Sequence, residues 1–196
     1  CDADEFITTR KNINRTIREE LKETFEPNNV DIILVPWVIM SCGGRKKSPK
    51  SILKGITKRW NHDKRHAMRG PRHPKFTCHY KSIPIKSIFR TSAVRRMGGP
   101  HKPRPIPGKK CVDGINIKPA TGEGYTLREE DIKNGYLLCY HYRTISAEYC
   151  EQKLKDSQLY QVKGITTGQI MSFDFPEVRD ETLKHKITDS RDYFTK

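Results

Sequence analysis

Residues 31–41 read DIILVPWVIMS, the densest apolar stretch in a chain whose residues are only 34% hydrophobic. Ile32, Ile33, Val35, Val38 and Ile39 are β-branched, so the segment favours extended backbone and reads as a largely buried strand. Pro36 interrupts it, because proline brings no amide hydrogen to a sheet ladder. The run falls well short of the ~20 apolar residues that a membrane helix needs. A chain of 196 residues is long enough to bury such a strand in a core of its own. The rest of the sequence must supply the elements that cover it.

Those elements alternate between helical and extended patterns. Ahead of the strand, TTRKNINRTIREELKETFEP repeats Ile13, Ile17, Leu21 and Phe25 every four residues, which lines one helical face. Thr8 or Thr9 is placed to cap that helix and Pro27 to stop it. After the strand come a loop, CGGRKKSP, and a short helix across 51–59. IKSIFRTSAV reads as one or two strands. GGPHKPRPIPGKK reads as an irregular loop, since its prolines exclude a helix and a central strand. Thr126 to Glu129 has the form of a capping box for a short helix that Gly135 closes. YLLCYHY is a strand ending on His141, followed by a helix from Ser146 to about Tyr160 with Tyr149, Cys150 and Leu154 inward. Weak helical signal near 180–186 precedes a stretch that reads as disordered. This alternation predicts the α/β class.

The net charge is +15, from 38 basic and 23 acidic residues. Such a balance favours polyanionic partners without choosing among nucleic acid, anionic membrane and phosphorylated ligands. The six cysteines include no C-x-x-C pair, which argues against structural zinc and thioredoxin chemistry. Their even number suits either disulfides or buried thiols. Asn14-Arg15-Thr16 has the form of a glycosylation acceptor.

The chain opens CDADEF, an acidic cluster where a strand is expected to have just ended. Carboxylates two residues apart on extended backbone point to one side, their Cα atoms roughly 6–7 Å apart. Asp2 and Asp4 so placed can share a divalent cation. Mg²⁺ and Mn²⁺ take hard oxygen ligands and commonly bind through one or two carboxylates plus substrate phosphates. A bare D-x-D also occurs as a solvated acidic turn, so its neighbours decide the reading.

Here the neighbours form an ordered set. DADEF, an amphipathic helix, the strand through Pro36-Trp37 into Gly43-Gly44, KSIFRTSAV (86–94), a loop with His101, and CYHYRTISAEYCEQKL (139–154) follow one another. Over roughly 1–155 this order resembles glycosyltransferases of the GT-A fold, specifically the family 2-like and family 92 types. The likeness is loose at WVIMSCGG, where those transferases tend to carry Phe-Gly. The resemblance implies an α/β domain over 1–165 that is the C-terminal half of a GT-A, Rossmann-like mixed sheet. Its nucleotide-binding half would lie upstream, and 166–196 would form a C-terminal helix and tail.

The implied activity is metal-dependent, inverting transfer of a sugar from a nucleotide donor, a UDP-sugar, to a glycan or glycoconjugate hydroxyl. Asp2 and Asp4 would bind Mn²⁺ (or Mg²⁺), with His141 first and His101 second as a further metal contact. Lys86, Arg90, Arg143 and Lys153 would meet the donor diphosphate, and Trp37, Gly43 and Gly44 would floor the sugar or acceptor site. An inverting transfer needs a general base; Glu148, Asp63 and Asp113 are the candidates, and none is singled out. The setting implied is the lumenal side of a Golgi or other secretory membrane, through an anchor outside this sequence. A bacterial or viral relative would instead be cytoplasmic.

Two other readings compete. The Lys and Arg residues of 45–110 would suit a basic nucleic-acid-binding module, although no helix-turn-helix, RNP-type aromatic set or zinc-finger spacing accompanies them. His62, His66, His73, Cys78 and His79 would form a metal-binding module, but their spacing fits no standard zinc pattern.

Overall fold

The computed structural model describes residues 2–68, 76–78, 83–99, 101, 103–120 and 127–186. In chain order the elements are β1 (Glu5–Thr9), α1 (Ile17–Glu20, continued by a π-helical turn Leu21–Phe25), β2 (Ile32–Ser41), α2 (Ile52–Gly55) and β3 (Lys58–Arg59). Then follow β4 (His66–Met68), β5 (Phe76–Cys78), β6 (Ile85–Phe89), β7 (Val94–Met97), β8 (Pro103–Pro105), β9 (Cys111–Asp113), α3 (Glu129–Asn134) and β10 (Leu137–His141). The described chain closes with α4 (Ala147–Asp156), α5 (Gln158–Val162), α6 (Thr167–Met171) and β11 (Val178–Arg179). Seven strands form one mixed sheet in the order β1-β10-β2-β3-β11, with β6 and β9 also paired to β2. The class is α/β, as the alternating pattern predicts.

Two compact units divide the chain. One is drawn from Cys1–Val38, His62–Arg65 and Cys78–His141, the other from Ile39–Asn61, His66–Thr77 and Tyr142–Lys196.

β2, most of which belongs to the first unit, is buried at every position, the state its apolar run demands. Ile32 to Pro36 pair antiparallel with β6, while Ile32 to Leu34 pair parallel with β9. Ile32, Leu34, Ile85 and Ala93 form a core cluster against which Phe89, Val94, Cys111 and Ala120 pack. Pro36 does not break the strand. It sits at the last rung of the β6 pairing, opposite Ile85, so the ladder loses at most one hydrogen bond there.

The N-terminal helix starts later than its periodicity suggests. Thr8 and Thr9 belong to β1, and Thr9 Oγ1 shares its one proton between the carbonyls of Asn12 (2.7 Å) and Arg15 (2.9 Å), which holds the following loop. Thr16 is the cap: its hydroxyl accepts from Glu19 N (3.2 Å), and Glu19 Oε2 accepts from Thr16 N (2.7 Å). That reciprocal capping box offsets the orphan amides of the first turn. Downstream, β7 and β8 form a separate antiparallel hairpin. Pro103 and Pro105 are tolerated in a strand here because a two-stranded hairpin leaves each strand an open edge. Helix α3 is present and closed by Gly135, with Arg128 at its N-cap; Thr126 lies outside the described residues.

In the second unit β3 pairs with the end of β2 and with β11. Ser146 caps α4 by accepting from Tyr149 N at 3.0 Å, and the helix turns Cys150 inward. The stretch after 165 is built into this unit: α6 follows a Thr166 cap, Trp60 Nε1 donates to Phe173 O (2.7 Å), and β11 lies on β3. Residues 187–196 of the expected tail, with His73 and His79, lie outside the described residues. Cys42, Cys111, Cys139 and Cys150 are free thiols.

A buried ion pair of this unit joins Arg59 Nε to Asp180 Oδ2, 2.9 Å apart. Removing one partner strands the other charge away from water. Asp180→Ala is therefore expected to cost about 3–5 kcal/mol in urea unfolding, whereas the paired change Arg59→Met with Asp180→Leu recovers most of that loss.

Candidate functional site

Strands β1 and β10 pair antiparallel with Glu5 opposite His141 and Phe6 opposite Tyr140. The acidic residues before β1 are thereby brought to the end of β10. They do not end a strand among the described residues. Asp2-Ala3-Asp4 forms a turn that leads into β1, closed by Glu5 N donating to Asp2 O and Asp2 N donating to Glu5 Oε2, each at 3.1 Å. The turn separates the two aspartates: the Asp2 side chain is 73% exposed, whereas Asp4 is buried. They do not share one face of a strand, as their spacing suggests they would.

Four further side chains of the first unit close on this turn. His141 Nε2 lies 3.8 Å from Asp4 Oδ1. Lys86, delivered by β6 from its position opposite Val35, reaches Glu5 Oε2 at 3.0 Å and Asp2 Oδ2 at 3.4 Å. The Trp37 ring packs tilted against His141, centroids 4.0 Å apart, and edge-on to His101 at 5.4 Å. Lys86 Nζ stands 5.9 Å from the Trp37 centroid, within cation–π range. Ser87 Oγ donates to His101 O (3.0 Å), which ties the His101 loop to β6.

The electrostatics follow from burial among charges. Burial alone would depress the Lys86 ammonium, but its hydrogen bond to Glu5 and the charges of Glu5 and Asp2 outweigh that, and the group is held above the ordinary lysine value. Burial, then the charge of Lys86, pushes the His101 imidazole below its usual range. Burial also drives the Cys139 thiol of β10 far up, which leaves it inert. Glu5 Oε1, Trp37 Nε1 and His101 Nδ1 are buried with no hydrogen-bond partner among the described residues.

Asp2, Asp4, Lys86, Trp37, His101 and His141, each named from the sequence, are thus neighbours. The others lie elsewhere. Arg90 follows the far end of β6, its Nε donating to Val30 O (3.4 Å), and lines an apolar cleft of about 190 Å³ with Leu21, Phe25 and Phe89. Asp113 is buried and accepts from the amides of Ile115, Asn116 and Lys118 at 2.6–3.2 Å, the work of a turn-forming aspartate. Asp63 accepts from Glu129 N at 3.3 Å.

Gly43, Gly44, Arg143, Glu148 and Lys153 belong to the second unit. Glu148 accepts from Ser48 N (3.0 Å) in the first turn of α4, Arg143 lies over the Phe173 ring (3.9 Å), and Lys153 is 5.5 Å from the Tyr149 centroid. Gly43 and Gly44 both adopt left-handed backbone, at φ 68° and 72°. Their amides converge on the Asp174 carboxylate at 3.2 and 2.6 Å, with Cys42 Sγ 3.4 Å from it. Two successive amides in this geometry form an anion-binding nest. No sequence signal marked Asp174 as its occupant. Glu5 takes the supporting part that the sequence allows it: its fully buried carboxylate holds both the turn, through the Asp2 amide, and Lys86.

Among the described residues no group of three or more His, Cys, Asp or Glu side chains is arranged to hold a metal ion by itself. No family model, curated protein or solved structure is significantly similar to this chain.

The charge coupling inside the cluster is open to measurement. Lys86 acts on His101 more strongly than Glu5 does, so Lys86→Gln is expected to raise the His101 pKa in an NMR titration of its ring. A downward or absent shift would contradict the geometry. Because the native value lies below 6.5, His101 contributes a loss of stability as pH falls through that value, where the unfolded chain takes the proton more readily.

Proposed function

We propose that this chain carries the metal- and diphosphate-binding part of a glycosyltransferase that moves a sugar from a nucleotide donor, a UDP-sugar, to a hydroxyl of a glycan or glycoconjugate. One observation carries the reading: Asp4, His141, Lys86, Trp37 and His101, chosen from separate motifs, surround a single turn. The GT-A resemblance of the motif order supports it.

The donor set suits a divalent cation that completes its shell with substrate. Asp4 Oδ1 and His141 Nε2, 3.8 Å apart, offer one oxygen and one nitrogen. Mn²⁺ accepts both kinds of ligand, and ions of this type often use few protein ligands beside phosphate oxygens. Bound there, the ion would offset the charge that builds on the departing diphosphate.

The remaining groups act on their own account. The Lys86 ammonium, kept charged by Glu5 and Asp2, presents a second positive group for phosphate oxygens without reorganising as charge develops. Glu5 fixes both that lysine and the amide of Asp2, so it orients the turn. Trp37 lies against the rings of His141 and His101 and limits their rotation. The acceptor's base stays unassigned, since the carboxylates of Asp63, Asp113 and Glu148 are each bonded to backbone amides.

The test is thermal unfolding of the whole chain with inorganic pyrophosphate, UDP, GDP and several nucleotide sugars, with and without Mn²⁺. A ligand held only by the folded state stabilises it by about 2.7 kcal/mol at a hundredfold excess over Kd. The midpoint is expected to rise only when a diphosphate, free or within a nucleotide, and metal are both present. His141→Ala, which removes a buried ring, is expected to melt below the wild type unliganded, and both it and Asp4→Asn are expected to lose that rise. No rise with any pair would overturn the proposal.

A further inference from the structure

The β7–β8 hairpin, within the first unit, has a charge arrangement that the proposed donor site does not use. Val94 pairs with Pro105 and Arg96 with Arg104, so one extra residue, Arg95, is bulged out of β7 between those rungs. A bulge sets two residues of one strand against one of the other. Arg95 and Arg96 therefore oppose Arg104, and like charges directly across a ladder repel. Neither an ion pair nor a hydrogen bond relieves the three side chains among the described residues. The sequence offers no relief nearby either, since no Asp or Glu occurs between Asp63 and Asp113.

The hairpin is nonetheless fitted to hold this charge. Arg104 lies across Gly98, where an added Cβ would come within 2.7 Å of its Nε, so glycine is what leaves room for the guanidinium. Pro103 and Pro105 stiffen the strand that presents it, and Ile106 N closes the base on Ala93 O at 2.9 Å. Two large apolar side chains of the same hairpin are also open to solvent: Met97 (46% exposed), one residue past Arg96 and so on the other face of the ribbon, and Ile106 (39% exposed), just past β8 at the base.

We propose that the β7–β8 hairpin docks the protein on an anionic lipid bilayer, with Arg95, Arg96 and Arg104 on the headgroup phosphates and Met97 and Ile106 in the acyl boundary. Charge complementarity selects an anionic partner, and the exposed apolar pair selects a bilayer. A single-stranded nucleic acid would want stacking aromatics, and the hairpin strands carry no Phe, Tyr or Trp. Basic side chains at an anionic surface and apolar ones at its interface add their contributions. The surface needs neither nucleotide nor metal.

The test is sedimentation of the full chain with vesicles of phosphatidylcholine alone and of phosphatidylcholine with 30% phosphatidylserine. Binding is expected to the anionic vesicles only and to weaken with salt. The triple variant R95A/R96A/R104A is expected to bind about a hundredfold more weakly. A control with the same loss of charge elsewhere on the surface, K22A/K133A/K163A, is expected to bind nearly as well as the wild type. Met97→Gln, which leaves the charge unchanged, is expected to weaken binding several-fold. Circular dichroism melts of all three variants keep a folding defect from passing as a binding one. Absence of vesicle binding, equal binding to neutral vesicles, or equal losses in the two triple variants would overturn the proposal. So would arginine-dependent capture of a 20-nucleotide oligonucleotide without vesicle binding.

Discussion

Strand β2 is buried along its whole length, and that single demand organises most of what surrounds it. A strand with no solvent face has to find partners for both edges and cover for both surfaces. Over Ile32 to Leu34 both edges are taken, by antiparallel β6 and parallel β9. At Met40 and Ser41 the partner is β3. Pro36 falls where one pairing ends, a place where a missing amide hydrogen costs least. The same pairing that buries β2 sets Lys86 opposite Val35 and brings Trp37 N to Pro84 O at 3.0 Å. Two walls of the candidate site are in this sense by-products of covering one apolar run.

The acidic turn poses the opposite problem, too much charge in too little space. Asp2, Asp4 and Glu5 fall within four residues, and two of them are buried. Left alone they would repel and resist desolvation. The chain resolves this with compensating groups from distant elements, Lys86 for Glu5 and His141 beside Asp4. Asp2 stays open to solvent. The outcome is a graded site, with a neutralised carboxylate at its base, a carboxylate–imidazole pair above it and an exposed carboxylate at its mouth.

The readable parts of the sequence were those with strong local contrast. The runs IILVPWVIMS and LLCYH stand out against polar flanks, and both are strands. The Ser146 cap was equally plain. Strand β1 was hidden because EFITT has two threonines that look like caps and a glutamate that looks exposed, yet Glu5, Thr8 and Thr9 are all buried. Strands β3 and β11 have two residues each, too short for any period, and exist only because they pair. Within the site, motif order pointed to Asp4, Lys86, Trp37, His101 and His141. It misjudged the geometry of the aspartate pair, because two-residue spacing has its simple meaning only on extended backbone. The grip of Asp174 on Gly43 and Gly44 was out of reach, since it joins a loop to a segment that carries no pattern of its own.

The register that sets Glu5 opposite His141 also has a consequence in time. The acidic turn is near the first part of this sequence to be made, and its partner strand comes after most of the first unit. Until that strand arrives the three carboxylates have neither their histidine nor a settled lysine, and a growing chain can hold them only as a solvated, loosely ordered segment. Pairings between such distant segments close slowly, because the intervening chain must first give up its freedom. Ion binding at Asp4 and His141 would thus report completed folding rather than guide it.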